Sequence, residues 1–354
     1  MACPIEISIF GNGSAFGESV LIRIDSNWIV IDSCLNPGSS KSLPLEYLNG
    51  LGVDLETQVK YLVATHWHDD HIRGLSQIVE KCTTNTIFAV SAALRAEEFA
   101  NLLGIKNQKH TNHTGVNELC RIVDLCHETR IQIKAYQQDT VMEKYQIDGN
   151  NIEISVLSPS SQSIMQALKK FALFNRLFMD PNRSIVNPSP NHYSMVIQLK
   201  INDEVIILGA DLENTPGNDT GWNAINTSKQ LETGCRTFKV AHHGSSNGHN
   251  DHFWEFVLAE NFTALLTPWK RGGRFIPKKT DVERIKTYTD KVFITCDPEK
   301  PQKNRMRSAK TDKVLKELEI NIQPKYLRYG QVKLTGEASD LDWDIELLGT
   351  AKMI

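Results

Sequence analysis

Three histidines and two aspartates lie close together in the segment His66–His71, which has the sequence HWHDDH. The segment follows a short apolar strand pattern and precedes a helical pattern. Neutral imidazole nitrogens and carboxylate oxygens suit zinc and similar divalent ions. His66 and His68 could hold one ion while Asp70 and His71 face a second, and two ions about 3.5–4 Å apart would share a bridging hydroxide as nucleophile. Capping the helix would need only one such side chain. The segment therefore predicts a dinuclear metal site.

Two later clusters also follow predicted strands. Asp211 comes after the apolar run Val205–Leu208, and the sequence His-His-Gly-Ser at 242–245 comes directly after Phe238–Ala241. Gly-Ala-Asp alone is equally typical of an exposed turn. Strand ends can nevertheless bring distant residues to one rim of a sheet, so Asp211 and the histidines become candidate ligands beside the first segment.

Taken together, these motifs resemble the metallo-β-lactamase superfamily, whose motif is His-x-His-x-Asp-His. Within it, the sequence is most similar to the soluble metallo-β-lactamase-like domain of the DNA-uptake protein ComEC and its stand-alone relatives. The resemblance covers roughly residues 5–300. Beyond the clusters above, where Ala210 is inserted in the Gly-Asp motif, it rests on Gly11-Asn-Gly13, Val20–Ile22, Ile31-Asp32, Asn191-His-Tyr-Ser194 and Pro277–Val282.

The resemblance implies a role for each matched residue. His66 and His68 would bind metal one, and Asp211 would bridge the two ions. Metal two would be bound by Asp70, His71 and His242. Asp32 would lie behind the ligands and orient a loop or a ligand histidine, as ligating imidazoles usually require. His243 and Ser245 would face the substrate, so the expected catalytic residues are Asp70, His243 and Ser245.

One ligand of metal one stays open between two neighbours. Most hydrolases of this superfamily have a further histidine on the strand before the bridging aspartate, where this chain has Asn191 and His192. Asn191 matches the ComEC-like motif, but a slip of one residue on a strand reverses the face. His192 would complete the ligands of metal one. Asn191 would weaken that site and favour manganese over zinc. The expected cofactors are thus two divalent ions, zinc or manganese.

Short strand patterns alternate first with one another and then with helical patterns, and this cycle occurs twice. Sheets covered by helices on their outer faces fit such a pattern. The sequence predicts an α/β protein, an αββα sandwich of the metallo-β-lactamase type. The hydrolase domain is expected over residues 1–304, with helical insertions at about 92–130 and 160–182. Residues 305–354 are expected to form a short C-terminal β appendage, in which Tyr326–Leu334 and Trp343–Leu348 pair as strands.

Composition excludes several classes of protein. The chain has 354 residues, 23% of them charged, and a net charge of −3, which excludes a disordered chain. No apolar run reaches the roughly 18 residues of a membrane span, and the N-terminus lacks a basic region before its apolar stretch. The sequence predicts a cytoplasmic protein without membrane association, whose seven cysteines are reduced. Cys120, Cys126 and His127 lack the spacing of a zinc site.

A basic segment suggests the substrate. Residues 270–310 contain 13 Lys and Arg against 5 Asp and Glu, a balance of +8 that leaves −11 elsewhere. Lys270, Arg271 and Arg274 could contact the phosphates of a nucleic-acid partner without reading its sequence. Trp67, Trp222 and Trp269 are candidate stacking platforms. The first hypothesis is a metal-dependent phosphodiesterase or nuclease acting on DNA or RNA.

Two other functions stay open. The same metal site could hydrolyse a small ester, lactone, thioester or β-lactam, because the fold does not dictate the substrate. A degenerate site on a binding or assembly module is the third hypothesis, and the intact first cluster argues against it.

Overall fold

The computed structural model describes residues 2–13, 16–95, 114–178, 190–297, 304–305, 314, 326–327 and 329–354. Two eight-stranded sheets dominate these residues. The strands are β1 (Pro4–Asn12), β2 (Glu18–Ile24), β3 (Asn27–Ile31), β4 (Val59–Ala64), β5 (Ile87–Ser91), β6 (Gln132–Tyr136), β7 (Thr140–Ile147), β8 (Asn150–Ser158), β9 (Val196–Ile201), β10 (Glu204–Leu208), β11 (Cys235–Lys239), β12 (Leu258–Leu266), β13 (Trp269–Arg271), β14 (Arg274–Ile276), β15 (Val292–Ile294), β16 (Asn304–Arg305), β17 (Tyr326–Leu327), β18 (Tyr329–Glu337), β19 (Asp340–Gly349) and β20 (Lys352–Met353).

The helices lie between these strands. The α-helices are α1 (Leu43–Gly50), α2 (Leu55–Gln58), α3 (Asp69–Ile72), α4 (Leu75–Val79), α5 (Thr114–Thr129), α6 (Ser161–Phe178), α7 (Gly221–Ile225), α8 (Asp251–Phe256) and α9 (Lys279–Lys286), and single 3-10 turns occur at Ala92–Arg95, Pro190–Tyr193, His242–Gly244 and Ser246–Gly248. Residues 96–113 and 179–189 lie outside the described part of the chain. The predicted helical insertions are therefore described only in part, by α5 and α6.

The first sheet has the order β19-β18-β1-β2-β3-β4-β5-β6, and the second has the order β20-β15-β12-β11-β10-β9-β8-β7. β3 to β6 run parallel to one another, as do β10, β11, β12 and β15. The loops that carry the candidate ligands follow β3 and β4 in one sheet and β10 and β11 in the other. In open α/β sheets, ligands bind outside the carboxyl ends of such strands.

Alternation along the strands produces three apolar layers. In β1, Ile5, Ile7 and Ile9 are buried in a cluster shared with β9 and β10, so this cluster fills the space between the sheets. Phe10 faces the other side, in a cluster with residues of α1, α4 and α5. A third cluster joins the outer face of the second sheet to α7, α8 and α9. Helix, sheet, sheet and helix layers therefore follow one another, which confirms the predicted αββα class.

The C-terminal strands pair with strands of both large sheets. β18 pairs with β1 from Pro4↔Glu337 to Asn12↔Tyr329, and β19 pairs with β18 as the sequence predicts. β20 joins the second sheet through β15. The physical reason is burial, because Val332 and Leu334 lie in the cluster between the sheets. Residues 329–354 are thus part of both sheets.

Two smaller observations concern the chain as a whole. All seven cysteines are buried. Within the described ranges, no helix has the length and apolar character needed to cross a membrane.

Candidate metal centre

The segment His66–His71 leaves the carboxyl end of β4 and continues into α3. It is held from two sides. Asp32, which follows β3, accepts hydrogen bonds from the backbone N–H of Thr65 at 2.8 Å and from its hydroxyl at 2.7 Å. On the other side, Asp69 accepts a bond from the N–H of Gly115 at the start of α5. The rigid sheet and the helix together fix where the histidines point.

His71 and His243 lie on either oxygen of the Asp211 carboxylate, and Asp70 lies beside His243. The Nε2 of His71 lies 3.3 Å from Oδ1 of Asp211. The Nε2 of His243 lies 3.3 Å from Oδ2 of Asp211 and 3.4 Å from Oδ2 of Asp70. Two ligands each about 2.0–2.1 Å from a tetrahedral zinc ion stand about 3.4 Å apart. These separations therefore suit a single ion, in the position expected for metal two.

His66 and His68 form the neighbouring group with the same Asp211. The Nε2 of His66 lies 3.2 Å from Nδ1 of His68 and 3.8 Å from Oδ2 of Asp211. Ligand atoms of these three residues all lie within 4.8 Å of one another. Asp211 belongs to both groups, so its carboxylate would be a ligand common to two ions if both groups hold one.

Unpartnered atoms test whether cations fit. Among the residues that the structure describes, His71 Nε2, Asp211 Oδ1 and Asn191 Oδ1 are buried and have no hydrogen-bond partner. An orphaned buried polar atom costs about 1–3 kcal/mol, and these three sit where ligand atoms converge or line the same pocket. Divalent cations would satisfy all three, so the residues present fit a metal site.

His242 and His243 both line the pocket but lie on different sides of one turn. His243, expected at the substrate, is buried against Asp70 and Asp211. His242, expected on metal two, points toward Glu213, with Nδ1 3.4 Å from its Oε1. Both residues have positive φ, 45° and 55°, and this left-handed turn sends successive side chains to different sides. Ser245, also expected at the substrate, lies 3.1 Å from His242 Nδ1 and is not among the residues that line the pocket.

Asn191 and His192 also separate in space. Asn191 is buried and lines the pocket. Its Nδ2 donates to Oε1 of Glu213 at 2.7 Å, which leaves Oδ1 free to face the site. His192 instead lies with Nε2 3.5 Å from the other oxygen of Glu213. Of the two alternatives, Asn191 is the residue that lines the pocket.

Each ligand histidine is oriented through its second nitrogen. His71 donates from Nδ1 to Asp32 at 2.7 Å, and His243 donates to the backbone oxygen of Thr267 at 2.8 Å. The Nδ1 of His66 lies 3.0 Å from the hydroxyl of Thr65. In all three histidines Nε2 points toward other candidate ligands, the arrangement expected for ligating histidines. Asp32 has the orienting position that the resemblance implies.

Buried charges shift the pKa values of this cluster in opposite directions. Burial lowers the pKa of His66 well below its usual range, helped by the charges of His71 and His68. Burial would also lower the pKa of His71 and of His243, but the carboxylate of Asp211 raises both well above the usual range. Burial would raise the pKa of Asp211, yet His243 and His71 hold it well below. Without ions, protons on His71 and His243 would therefore balance the charge of the carboxylates. The binding of ions would release these protons.

Sequence analysis missed Glu18, the first residue of β2. It is buried, and its carboxylate pairs with Lys239 at 2.6 Å, behind His71 and His243. Glu18 lies far along the chain from the clusters that contain the candidate ligands. The sequence signal was a carboxylate at the start of a mostly apolar strand.

A pocket of about 590 Å³ opens over the candidate ligands. The hairpin of β13 and β14 forms part of its wall, and Arg271 and Arg274 line it. Arg271 also lies over the ring of Phe16, 5.6 Å from its centroid. Lys270, on the same hairpin, is not among the lining residues.

The three candidate tryptophan platforms occupy different places. Trp67 and Trp269 line the pocket, and Trp67 also packs on Phe171 with ring centroids 5.9 Å apart. Trp222 is a core residue of α7, 1% exposed, and its indole N–H donates to the carbonyl of Leu212. Trp269 is therefore the more accessible platform, because Trp67 is itself buried.

Comparison with known proteins finds a similarity in the N-terminal part. Residues 13–97 match the family model described as the Metallo-beta-lactamase superfamily. This segment covers less than half of the chain and includes Asp32 and the whole of His66–His71. The two sheets with their outer helices match the metallo-β-lactamase-type fold. A search of curated proteins gives no significant match.

Solved structures show distant similarity to the chain. One is a metallo-beta-lactamase with an HARLDQ motif from Cronobacter sakazakii, with 13% identity and a TM-score of 0.29 over 57% of this chain and 55% of that chain. Another is MEM-A1, a subclass B3 metallo-beta-lactamase isolated from a soil metagenome library, with 13% identity and a TM-score of 0.31 over 64% of this chain and 74% of that chain. A third is a putative metallo-beta-lactamase from Thermotoga maritima, with 14% identity and a TM-score of 0.29 over 55% of this chain and 68% of that chain. The chain spans about half the length of the first of these.

Proposed function

We propose that this protein is a metal-dependent phosphodiesterase that cleaves nucleic acid. The observation that carries the proposal is the shared pocket: the candidate ligands lie at its base, and Arg271 and Arg274 line its wall. Guanidinium groups pair well with phosphate oxygens because their planar fork donates two parallel hydrogen bonds. The sequence resemblance to ComEC-like domains supports the same substrate class.

The proposed ligands divide into two groups that share Asp211. His66, His68 and Asn191 would hold metal one, and Asp70, His71 and His243 would hold metal two. Two divalent ions in such a site activate water and neutralise charge that develops on a phosphoryl group. Imidazole-rich ligation favours zinc, while the amide oxygen of Asn191 leaves manganese acceptable at metal one.

The remaining residues of the pocket would bind and orient the substrate. Arg271 and Arg274 would contact non-bridging phosphate oxygens and hold the scissile group over the ligands. Trp269, at the start of the hairpin, would stack on an unpaired base, an interaction that tolerates any sequence. Such contacts position a phosphodiester without selecting particular bases.

Hydrolysis of a small ester, lactone, thioester or β-lactam is the second candidate. The observation in its favour is the apolar part of the wall, which includes Trp67, Val116 and Ile276. A cavity of about 590 Å³ also falls within the usual range of about 300–1,000 Å³ for small-molecule sites. The arginine pair is the feature that favours the phosphodiester.

The test is cleavage of labelled single- and double-stranded DNA and RNA by the zinc- and manganese-loaded protein. We expect cleavage by the wild type and a loss on the order of 10²-fold or more in Asp70→Ala, since a group acting on the transition state is removed. Asp203→Ala, in the exposed turn between β9 and β10, is the matched control and should retain activity. Absence of cleavage with either metal contradicts the proposal, and hydrolysis of a thioester or lactone by the same sample would establish the second candidate.

A further inference from the structure

A buried ion pair links the two sheets directly behind the candidate metal centre. Glu18 begins β2 in the first sheet, and Lys239 ends β11 in the second. Their side chains are 2% and 1% exposed, and the Nζ of Lys239 lies 2.6 Å from Oε1 and 2.7 Å from Oε2 of Glu18. The hydroxyl of Thr267 also donates to Oε2 of Glu18.

Such a pair is a weak stabiliser of a fold. Removing two charges from water is costly, and apolar residues of similar volume at the same positions are often neutral or better. The space between these sheets is otherwise filled by apolar side chains. Stability alone therefore does not account for the pair, and its surroundings suggest a different role.

The carboxylate of Glu18 stands behind both histidines of metal two. Its Oε1 lies 3.6 Å from Nδ1 of His71, and its Oε2 lies 3.3 Å from Nδ1 of His243. These are the nitrogens opposite the Nε2 atoms that face Asp211. Nδ1 of His71 donates to Asp32 and Nδ1 of His243 donates to the carbonyl of Thr267, so Glu18 adds a second, negatively charged group beside both rings. A carboxylate behind a ligating histidine raises the basicity of that ligand.

Behind His66, a candidate ligand of metal one, lies a neutral group. Nδ1 of His66 faces the neutral hydroxyl of Thr65 at 3.0 Å, and the third candidate ligand there, Asn191, is a neutral amide. The two groups thus share Asp211 but differ in the charge behind their ligands.

We propose that Glu18 and Lys239 are a positioning pair for the histidines of metal two, which makes this half of the centre bind its ion more tightly, so that it fills before metal one. The inference rests on the proposed metal-dependent function, because it assumes that His71 and His243 bind an ion. Lys239 supplies the compensating charge that keeps the Glu18 carboxylate in place between the sheets.

The experiment measures metal affinity and not only catalysis. Zinc is titrated in competition with a chromophoric chelator, and cobalt binding is followed by its visible absorption. The wild type should bind two ions in separate steps, and the tighter step should be the one that His243→Ala removes. In the double variant Glu18→Gln/Lys239→Met, which removes both buried charges, the tighter step should weaken by about 10–100-fold while the weaker step stays unchanged.

Two further variants separate positioning from folding. Glu18→Gln alone leaves Lys239 buried without its partner, so it should lose both thermal stability and metal affinity. The double variant should recover the melting temperature but not the affinity, because no uncompensated charge remains. The control pair is Lys200→Met/Glu232→Gln, which removes a partly exposed ion pair of 2.8 Å on the second sheet and should leave both binding steps unchanged.

Each outcome decides the inference. The double variant could retain both wild-type affinities, or both of its binding steps could weaken equally. Either result would show that the pair serves the fold alone and would overturn the proposal. Two-step binding with the expected loss, but without nucleic-acid cleavage, would support the pair and overturn the phosphodiesterase. A wild-type protein that binds no ion would overturn both.

Discussion

Neighbouring histidines at 242 and 243 have different surroundings although they share one turn. His243 is 2% exposed, and its Nε2 faces two carboxylates. His242 is hydrogen-bonded to Asn191 through Nε2 and to Asn247 through Nδ1. If His243 binds an ion and His242 does not, the same substitution at the two positions should have different effects. Each variant therefore serves as the control for the other.

We expect His243→Ala to lose one of two bound zinc ions and to reduce hydrolysis on the order of 10²-fold or more, because the substitution removes a ligand of the reacting centre. His242→Ala should retain both ions. Zinc content after gel filtration, measured by elemental analysis, checks the prediction. A full complement of zinc in His243→Ala with one ion missing in His242→Ala would restore the assignment that the sequence motif implies.

The residues of the centre differ in how well sequence could predict them. Four candidate ligands lie within six positions directly after a strand: His66, His68, Asp70 and His71. Their types and spacing were sufficient to predict a cluster of ligands. The roles of His242 and His243 were not predictable, because a turn with positive φ decides which of two adjacent side chains points inward. Glu18 was missed since its partner, Lys239, lies 221 positions away and only the packing of two sheets joins them.

At the scale of elements, α5 and the hairpin of β13 and β14 complete the site from outside the sheets. Glu118 of α5 accepts hydrogen bonds from the N–H groups of Gly74 and Ser76, at 3.0 and 3.1 Å. These bonds hold the turn that follows α3, and so fix the segment His66–His71 against the sheet. The strand-to-helix pattern predicted this segment, whereas the short hairpin has too few residues to show a strand period.

The hairpin should control how nucleic-acid binding depends on salt. For a single strand, each phosphate that the protein neutralises adds about 0.7 to the steepness of log affinity against log salt concentration. Arg271→Ala/Arg274→Ala should therefore weaken binding and flatten the slope, measured by fluorescence anisotropy with labelled single-stranded DNA and the Asp70→Ala background to prevent cleavage.

A charge-matched control uses two cations far from the pocket, Lys144 and Arg236, whose side chains are 74% and 67% exposed. Arg236 lies near the start of β11, at the end opposite His243. Lys144→Ala/Arg236→Ala should leave the slope unchanged. Equal slopes for all three proteins would mean that the hairpin is a solvated surface and would favour the small-molecule substrate.

For the whole molecule, the layered αββα arrangement was predictable because apolar alternation marks most of the strands and the amphipathic patterns mark α5 and α6. The place of the C-terminal strands was not. Local pattern predicted that β18 and β19 pair with each other, but a strand pattern does not state which sheet a hairpin joins. Tertiary packing decides this, through the pairing of β18 with β1 along nine positions.

If residues 329–354 are integral to the fold, a core substitution in β18 should weaken the entire molecule. Leu334 is fully buried between the sheets and pairs with Ile7 of β1. Leu334→Ala should therefore lower the free energy of unfolding by about 2–5 kcal/mol, the usual cost of such a cavity. Leu347→Ala, on the adjoining strand β19 but 38% exposed, should change the free energy of unfolding by no more than about 0.5 kcal/mol.

Urea unfolding followed by far-ultraviolet circular dichroism and by release of bound cobalt provides the measurement. Both signals should shift together in Leu334→Ala, because one cooperative unit contains β18 and the metal ligands. A separate early transition that leaves cobalt bound would instead show that the C-terminal strands unfold as an independent appendage.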